Sequence, residues 1–409
     1  MLRPAKANPT GTGEHPAPFA SRPADTRGRR YPEPASPSRT DYQRDRDRII
    51  HSAAFRRLQH KTQVFVYHVG DHYRTRLTHS IEVAQIARSA ARALGLNEDL
   101  AEAVALAHDL GHPPFGHAGE DALNRSMAGA GGFDHNAHAL RLVTQLEARY
   151  AGFDGLNLTW EALEGLVKHN GPLVGPNSAG KPLPESIAAY VTHHDLELAS
   201  FAGPEAQIAA LADDIAYINH DLDDGVRAGL FTLEQLSAAP LVGPILAEVR
   251  RLYPSIEPAR VIHETVRRLI DGMVTDMVAE TRRRAATTQP ADAQAVRALA
   301  EPLVAFSPDW GPQVKALRSY LYQNMYQHPS VAGLAGQGAR IVSDLFSLYQ
   351  RDPAALPEEW RTARGGDAAR GTESDPRRIA DFIAGMTDRF AVAQHRKRFP
   401  NTPLPPEMS

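Results

Sequence analysis

The chain contains no cysteine. Disulfides, thiolate zinc sites, iron–sulfur clusters and a cysteine nucleophile are therefore excluded, and the composition suits a reducing compartment. No stretch is apolar for long enough to span a bilayer, and the opening MLRPAKANPTGTGEHPAPFA lacks the apolar run of a signal-peptide core. A cytoplasmic location with no membrane partner is expected. Charge of one sign is missing too: a formal net charge of −3 provides no global basic excess for nucleic acid or anionic lipid. Aromatics make up only 7%, which weighs against a base-stacking surface. What remains is an ordinary globular composition, 42% hydrophobic and 23% charged, in 409 residues that can bury a substantial core. Histidine stands out: there are 18, many of them between His51 and His220.

Residues 1 to about 40 are rich in Pro, Arg, Ser and Gly without periodicity, and read as a disordered or loosely docked arm. Residues 41–409 read as a single helical domain with a C-terminal helical extension, and no internal repeat is visible. The fold class expected is all-α with one short β-hairpin. In DYQRDRDRIIHSAAFRRL, Ile49, Ile50, Ala53, Ala54, Phe55 and Leu58 make an apolar stripe at helical spacing. Gln63 to His72 (QVFVYHVGDH) is rich in β-formers around a Gly-Asp turn, and supplies the hairpin. Helices are predicted from Thr78 to Leu94, stopped by Gly95, and from an N-cap at Asn97 through Leu110 to Gly111. Another begins near His117, and Gly171 to Pro184 is a loop. Ala206–Asp224 and Ser255–Ala286 read as helices. Arg351–Arg378 reads as a surface excursion, followed by a last helix over Ile379–His395.

The chemistry concentrates in AHDLGHPPFGHAGE, Ala107 to Glu120. His108 and Asp109 end an otherwise apolar helix and are pushed toward the interior. Burying both costs roughly several kcal/mol unless hydrogen bonds or a cation compensate. Imidazole nitrogen and carboxylate oxygen suit Mn²⁺, Fe²⁺, Co²⁺ or Zn²⁺. A lone His–Asp pair at a helix C-terminus is more often a cap. Two further donors strengthen the metal reading. His79 in RLTHSIEVAQIA starts an apolar helix, where an unpaired His is poorly placed. In ALADDIAYINHDLDD, Asp213, Tyr217 and Asp221 fall at i, i+4 and i+8 and share one face. A solvated acidic face is the plain alternative, and flanking Leu211, Ala212, Ile215, Ala216 and Ile218 argue against it. From these residues alone, Asp213 and Asp214 are nearly indistinguishable. His117 and Glu120, at i and i+3, can touch on one helical face, as a catalytic imidazole and its orienting acid do; a favourable acid near a helix N-terminus is the plainer account.

His…His-Asp…Asp resembles the ligand set of the HD hydrolase superfamily. HDLGHPPFGHAGE with RLTHS and ADDIAY is similar to the deoxyguanosinetriphosphate triphosphohydrolase-like proteins within it. The likeness runs from about Arg44 through Gly225 and resumes weakly at GMTDRF, Gly385 to Phe390. It implies that His79, His108, Asp109 and Asp213 bind one divalent metal, Mn²⁺ or Mg²⁺ if not Fe²⁺, Co²⁺ or Zn²⁺. It also implies that His117 and Glu120 are the catalytic dyad. Among substrate contacts it implies Arg76, Asn136 and Lys168 on phosphates, Gln63 near the deoxyribose, and Tyr217 and Asp221 on the sugar. His112 stands where Asn is also seen among such proteins, and Leu173 to Pro184 matches no pattern of the family.

The reaction expected is hydrolysis of a deoxynucleoside triphosphate at the α-phosphorus, giving deoxynucleoside and inorganic triphosphate. His117 would move the proton, while Arg76 and Lys168 would neutralise the triphosphate. A 5′-nucleotidase or cyclic-nucleotide phosphodiesterase would use the same metal site. A non-enzymatic dNTP sensor or single-stranded DNA-binding protein would draw on the Arg-rich arm and RRLQHK. The resemblance further implies a homo-oligomer and a nucleotide effector. Arg318 to Pro329 (RSYLYQNMYQHP) is an aromatic helix compatible with core, interface or pocket.

Overall fold

The computed structural model describes residues 16–64, 73–361 and 375–405, and among them every regular element is a helix. The helices that position the site are α1 (Asp41–Ile50), α2 (Arg76–Leu94), α3 (Glu98–Ala107), α4 (Gly116–Ser126), α5 (His135–Arg141), α6 (Trp160–Val167), α7 (Pro204–Arg227) and α8 (Pro258–Thr288). Four follow: α9 (Gly311–Leu321), α10 (Pro329–Arg351), α11 (Pro376–Ala384) and α12 (Asp388–Arg398).

Most of the hairpin expected over Gln63–His72 lies outside the described residues, which omit 65–72. On either side no ladder begins: Gln63 and Val64 form a bend, and one isolated antiparallel bridge joins Thr62 to Thr75. The hairpin is not supported. The expected surface excursion over Arg351–Arg378 likewise includes residues outside the description, 362–374; before them, Ala355 and Leu356 are buried.

Local chemistry accounts for the helix ends. Thr75 and Thr78 cap one another reciprocally, so α2 starts at Arg76, slightly earlier than expected, and Gly95 at φ +70° stops it. Asn97 accepts the Leu100 N–H at 3.0 Å, as an N-cap should. The apolar pattern suggests that α3 continues to Leu110, yet it ends at Ala107, and His108 to Gly111 form a turn.

Leu100, Ala101 and Ala103 through Ala107 are all buried, so α3 is enclosed rather than amphipathic. It lies among α1, α2, α6 and α7, and its alanines allow those neighbours a close approach. This is the larger apolar core. A smaller one joins Phe115, Leu123 and Met127, around α4, to Ile341, Leu345, Phe346, Ile379 and Ile383 from α10 and α11. The two cores meet at the turn between α3 and α4.

The described part of the N-terminal arm, residues 16–40, packs on this body. Ala17 N–H donates to Gly95 O at 2.9 Å, Phe19 and Ala20 are buried, and the Ser21 hydroxyl donates to Glu205 at 2.7 Å. Arg29 pairs with Asp45 and donates to Asn157 O at 2.6 Å. These anchors are individual polar contacts, which leave no periodic trace in a Pro- and Arg-rich segment.

The turn after α3 and the first turn of α5 touch backbone to backbone. A Cβ on Gly111 would fall 1.9 Å from His135 O and 2.5 Å from Ala139 N. Gly111→Ala is therefore expected to lose about 1–3 kcal/mol of unfolding free energy through overpacking. Urea denaturation measures this, and an unchanged midpoint would contradict the close approach.

Candidate active site

α2, α7 and the turn that ends α3 bring four donors together. His79 comes from the first turn of α2, His108 and Asp109 from the end of α3, and Asp213 from the middle of α7. His79, His108 and Asp109 are buried, and Asp213 keeps a quarter of its side chain exposed. His79 Nε2 lies 2.9 Å from Asp213 Oδ1. His108 Nε2 lies 3.5 Å from both Asp109 Oδ1 and Asp213 Oδ1. His169, just beyond α6, adds its Nε2 at 3.3 Å from Asp213 Oδ2. Asp214 points elsewhere and pairs with Arg318, so geometry separates the two aspartates that sequence alone leaves equivalent.

The donor set fits a divalent cation. His108 donates its Nδ1–H to Ala105 O at 2.6 Å, so the neutral ring presents the lone pair of Nε2 inward. That nitrogen is buried with no hydrogen-bond partner. Ligand bonds of about 2.0–2.2 Å place neighbouring donors about 3–3.5 Å apart in octahedral or tetrahedral arrangements. The separations around Asp213 lie in or close to that span. Burial favours protonation of Asp213, but the imidazoles of His108, His169 and His79 around it outweigh burial and hold its pKa well below the ordinary value. Asp109 is held down in the same way, against burial, by Arg76, His108 and His112.

A second group stands alongside. His117 Nδ1 lies 3.0 Å from Glu120 Oε2, on the first turn of α4. Glu120 Oε1 accepts the backbone N–H of His135 at 2.9 Å and faces the His135 Nδ1 at 2.7 Å. Burial opposes ionisation of Glu120, yet these bonds from His117 and His135 lower its pKa. His117 is the accessible member, with 64% of its side chain exposed, while buried His112 stacks on His135 with ring centroids 4.0 Å apart. The strand of chain leading to His117 is strained: Phe115 and Gly116 are both left-handed, at φ +64° and +59°. Phe115 N–H is held by Asp388 Oδ1 at 3.1 Å, and a Cβ on Gly116 would come within 3.1 Å of the Arg76 guanidinium.

The substrate residues expected from sequence divide. Gln63 and Asn136 are placed beside the loop and helix that carry His117 and His135, each with a buried side-chain oxygen lacking a partner. Arg76 is there too, but its guanidinium is buried against Asp109 Oδ2 at 2.8 Å. Tyr217 and Asp221 face the segment after α9: Tyr217 stacks on Tyr326 at 6.0 Å, and Tyr326 donates its hydroxyl to Asp221 at 2.8 Å. With Arg318 on Asp214, this makes the Arg318–Pro329 segment a wall over the polar face of α7. Lys168 is not brought to the group. Its buried ammonium pairs with Glu164 at 3.0 Å and donates to Ser200 Oγ at 2.9 Å, and Glu164 is shared with Arg297. Its neighbour His169 points to Asp213 instead.

Sequence reasoning missed His135, His169 and Tyr326, and noted His112 without giving it a role. His135 and His169 sat in view in GFDHNAH and GLVKHNG, next to the residues singled out there. Nothing in spacing alone shows which neighbour faces inward, because the turns after α6 and before α5 have no helical period to read.

The chain matches the HD domain family over residues 76–218 and the phosphohydrolase-associated domain over residues 304–397. It is 58% identical over 393 residues, covering 96% of this chain and 98% of the relative, to a deoxyguanosinetriphosphate triphosphohydrolase-like protein of Parvibaculum lavamentivorans. Proteins of the same description from Brucella ovis (57% over 389 residues, 95% and 96% covered) and Azorhizobium caulinodans (56% over 390 residues, 94% and 96% covered) are similar along nearly their whole length. No helix among the described residues is long and apolar enough to cross a membrane.

The placement of Lys168 has a direct consequence. Lys168→Met leaves Glu164 one partner short in the core and is expected to cost about 1–3 kcal/mol of stability. Nucleotide KM should change little. A stable variant with weakened nucleotide binding would instead restore Lys168 to the phosphates.

Proposed function

The chain belongs to the deoxyguanosinetriphosphate triphosphohydrolase-like family of HD-domain phosphohydrolases, and on that premise we propose that it hydrolyses deoxynucleoside triphosphates to deoxynucleoside and inorganic triphosphate. The observation that carries the reading is the His117–Glu120 pair standing beside the His79, His108, Asp109 and Asp213 donors. In this reading those four donors hold one divalent cation, Mn²⁺ or Mg²⁺ being the first choices. When bound, the cation would polarise the α-phosphate as a Lewis acid.

The protein's own groups divide the remaining work. Water adds to the α-phosphorus and the P–O5′ bond breaks, so one proton must leave the water and one must reach O5′. His117 is placed for that transfer: its Nδ1 is committed to Glu120, so only Nε2 on the exposed side can exchange a proton. Glu120, itself braced by His135, keeps the ring oriented. Arg76 keeps Asp109 ionised and, one turn before His79, presents positive charge to the phosphates. Tyr217, Asp221 and Tyr326 form a stacked polar wall on which a deoxyribose can rest, while Gln63 and Asn136 offer free carbonyl oxygens to donors on the substrate. The cysteine-free composition suits action in the cytoplasm.

Incubating the purified protein with each dNTP and Mn²⁺, then resolving triphosphate, pyrophosphate and phosphate, tests the reaction class. Triphosphate with deoxynucleoside is the expected pair; orthophosphate from monophosphates, or opening of cyclic nucleotides, would move the assignment to another HD activity. His117→Ala is expected to lower kcat by about 10²–10⁴-fold with Mn²⁺ affinity unchanged. Full activity in that variant would remove His117 from the mechanism.

A further inference from the structure

His108 and His79 fix their rings by different means. The second nitrogen of His108 ends on a backbone carbonyl, Ala105 O. That of His79 does not: its Nδ1 lies 3.2 Å from Nδ1 of His220, and His220 Nε2 lies 2.8 Å from Glu82 Oε2. Glu82 is one turn beyond His79 on α2, and His220 is two turns beyond Asp213 on α7. His79 and His220 are both buried, while Glu82 reaches the surface, where Arg74 bonds it at 3.1 Å and ties it to Asp224 at 2.7 Å.

With both rings neutral, as a metal-binding imidazole must be, proton counting along this row gives one arrangement. An ionised carboxylate only accepts, so His220 Nε2–H donates to Glu82. A neutral ring protonated at Nε2 keeps its lone pair at Nδ1, which must then accept from His79 Nδ1–H. His79 is left with an unprotonated Nε2, the nitrogen 2.9 Å from Asp213 Oδ1. The opposite tautomer would satisfy His79 by donating Nε2–H directly to Asp213, and would place a proton where a cation has to sit. The two tautomers of a free imidazole are close in energy, so the hydrogen bond at one nitrogen decides the state of the other.

We propose that Glu82 and His220 are positioning residues for the metal centre, a two-step relay that holds His79 as its Nδ1–H tautomer and keeps Nε2 open for a divalent cation. The inference rests on the reading of His79 and Asp213 as ligands, and adds a device that neither the family descriptions nor the ligand motif contains.

The test uses the full chain without nucleotide. Mn²⁺ affinity is read from the electron paramagnetic resonance of free Mn²⁺, and the His79 tautomer from two-bond ¹H–¹⁵N spectra of histidine-labelled apoprotein. Glu82→Ala removes the terminal acceptor at a partly exposed position, and His220→Phe removes the middle link. Each is expected to weaken Mn²⁺ binding by about 10–100-fold. The double variant should lose no more than the worse single one, because both break one row. His79 should shift from Nδ1–H toward Nε2–H in Glu82→Ala with the fold retained by circular dichroism. Unchanged affinity in Glu82→Ala, or Nε2–H at His79 in the unaltered apoprotein, overturns the inference alone. An unaltered protein that binds no Mn²⁺ overturns the metal-centre reading and the relay with it.

Discussion

Two carboxylates and three imidazoles converge on a volume enclosed by alanine-rich helices, and the carboxylate oxygens and His108 Nε2 face inward as acceptors. His108 commits its Nδ1–H to Ala105 O and turns Nε2 inward, His79 Nε2 faces Asp213 across 2.9 Å, and Arg76 pairs with Asp109. Removing such groups from water costs several kcal/mol each unless opposite charge compensates. A divalent cation satisfies all of these acceptors at once, and nothing apolar around them can. The rest of the architecture follows from holding that arrangement open.

Enclosure is the first requirement. α3 has few polar side chains beyond its first turn, so α1, α2, α6 and α7 surround it closely and hold His108 and Asp109 at its end. The second requirement is to bring the His117 imidazole near the donors without burying it among them. Here the smaller core matters: α4 packs on α10, and the left-handed Phe115–Gly116 step swings His117 back toward the donors. Asp388, from the start of α12, holds that step by accepting the Phe115 and Thr62 N–H groups at 3.1 and 2.9 Å. Residues 304–397, matched by the phosphohydrolase-associated domain, thus support the turn that leads to His117 in the HD domain.

Much of this was legible in the amino-acid order, and the reasons differ from part to part. Helices with caps and period, such as Asn97 before Leu100 and Gly95 after Leu94, announce themselves because their signals are local. The donor motif was legible through the family resemblance; residue chemistry alone left Asp213 and Asp214 tied, and only the pairing of Asp214 with Arg318, over a hundred positions away, separates them. Lys168 illustrates the opposite case. Lysine at a motif position suggests phosphate, but the carboxylate of Glu164 lies one turn before it and claims the ammonium inside the core. The hairpin over Gln63–His72 came from β propensity alone, a signal that depends on context more than helix caps do, and the described residues beside it begin no ladder. Tyr326 and His220 act through partners on other helices, so their roles appear only once α7 has neighbours.

The central claim is that the buried acceptors around Asp213 exist to hold one divalent cation. Anomalous X-ray scattering from crystals grown with Mn²⁺, collected on either side of the manganese edge, locates the ion without reference to activity. The account predicts a single strong peak bounded by His79 Nε2, His108 Nε2, Asp109 and Asp213. No peak there, or one seated instead on His112, His117 and Glu120, would contradict it.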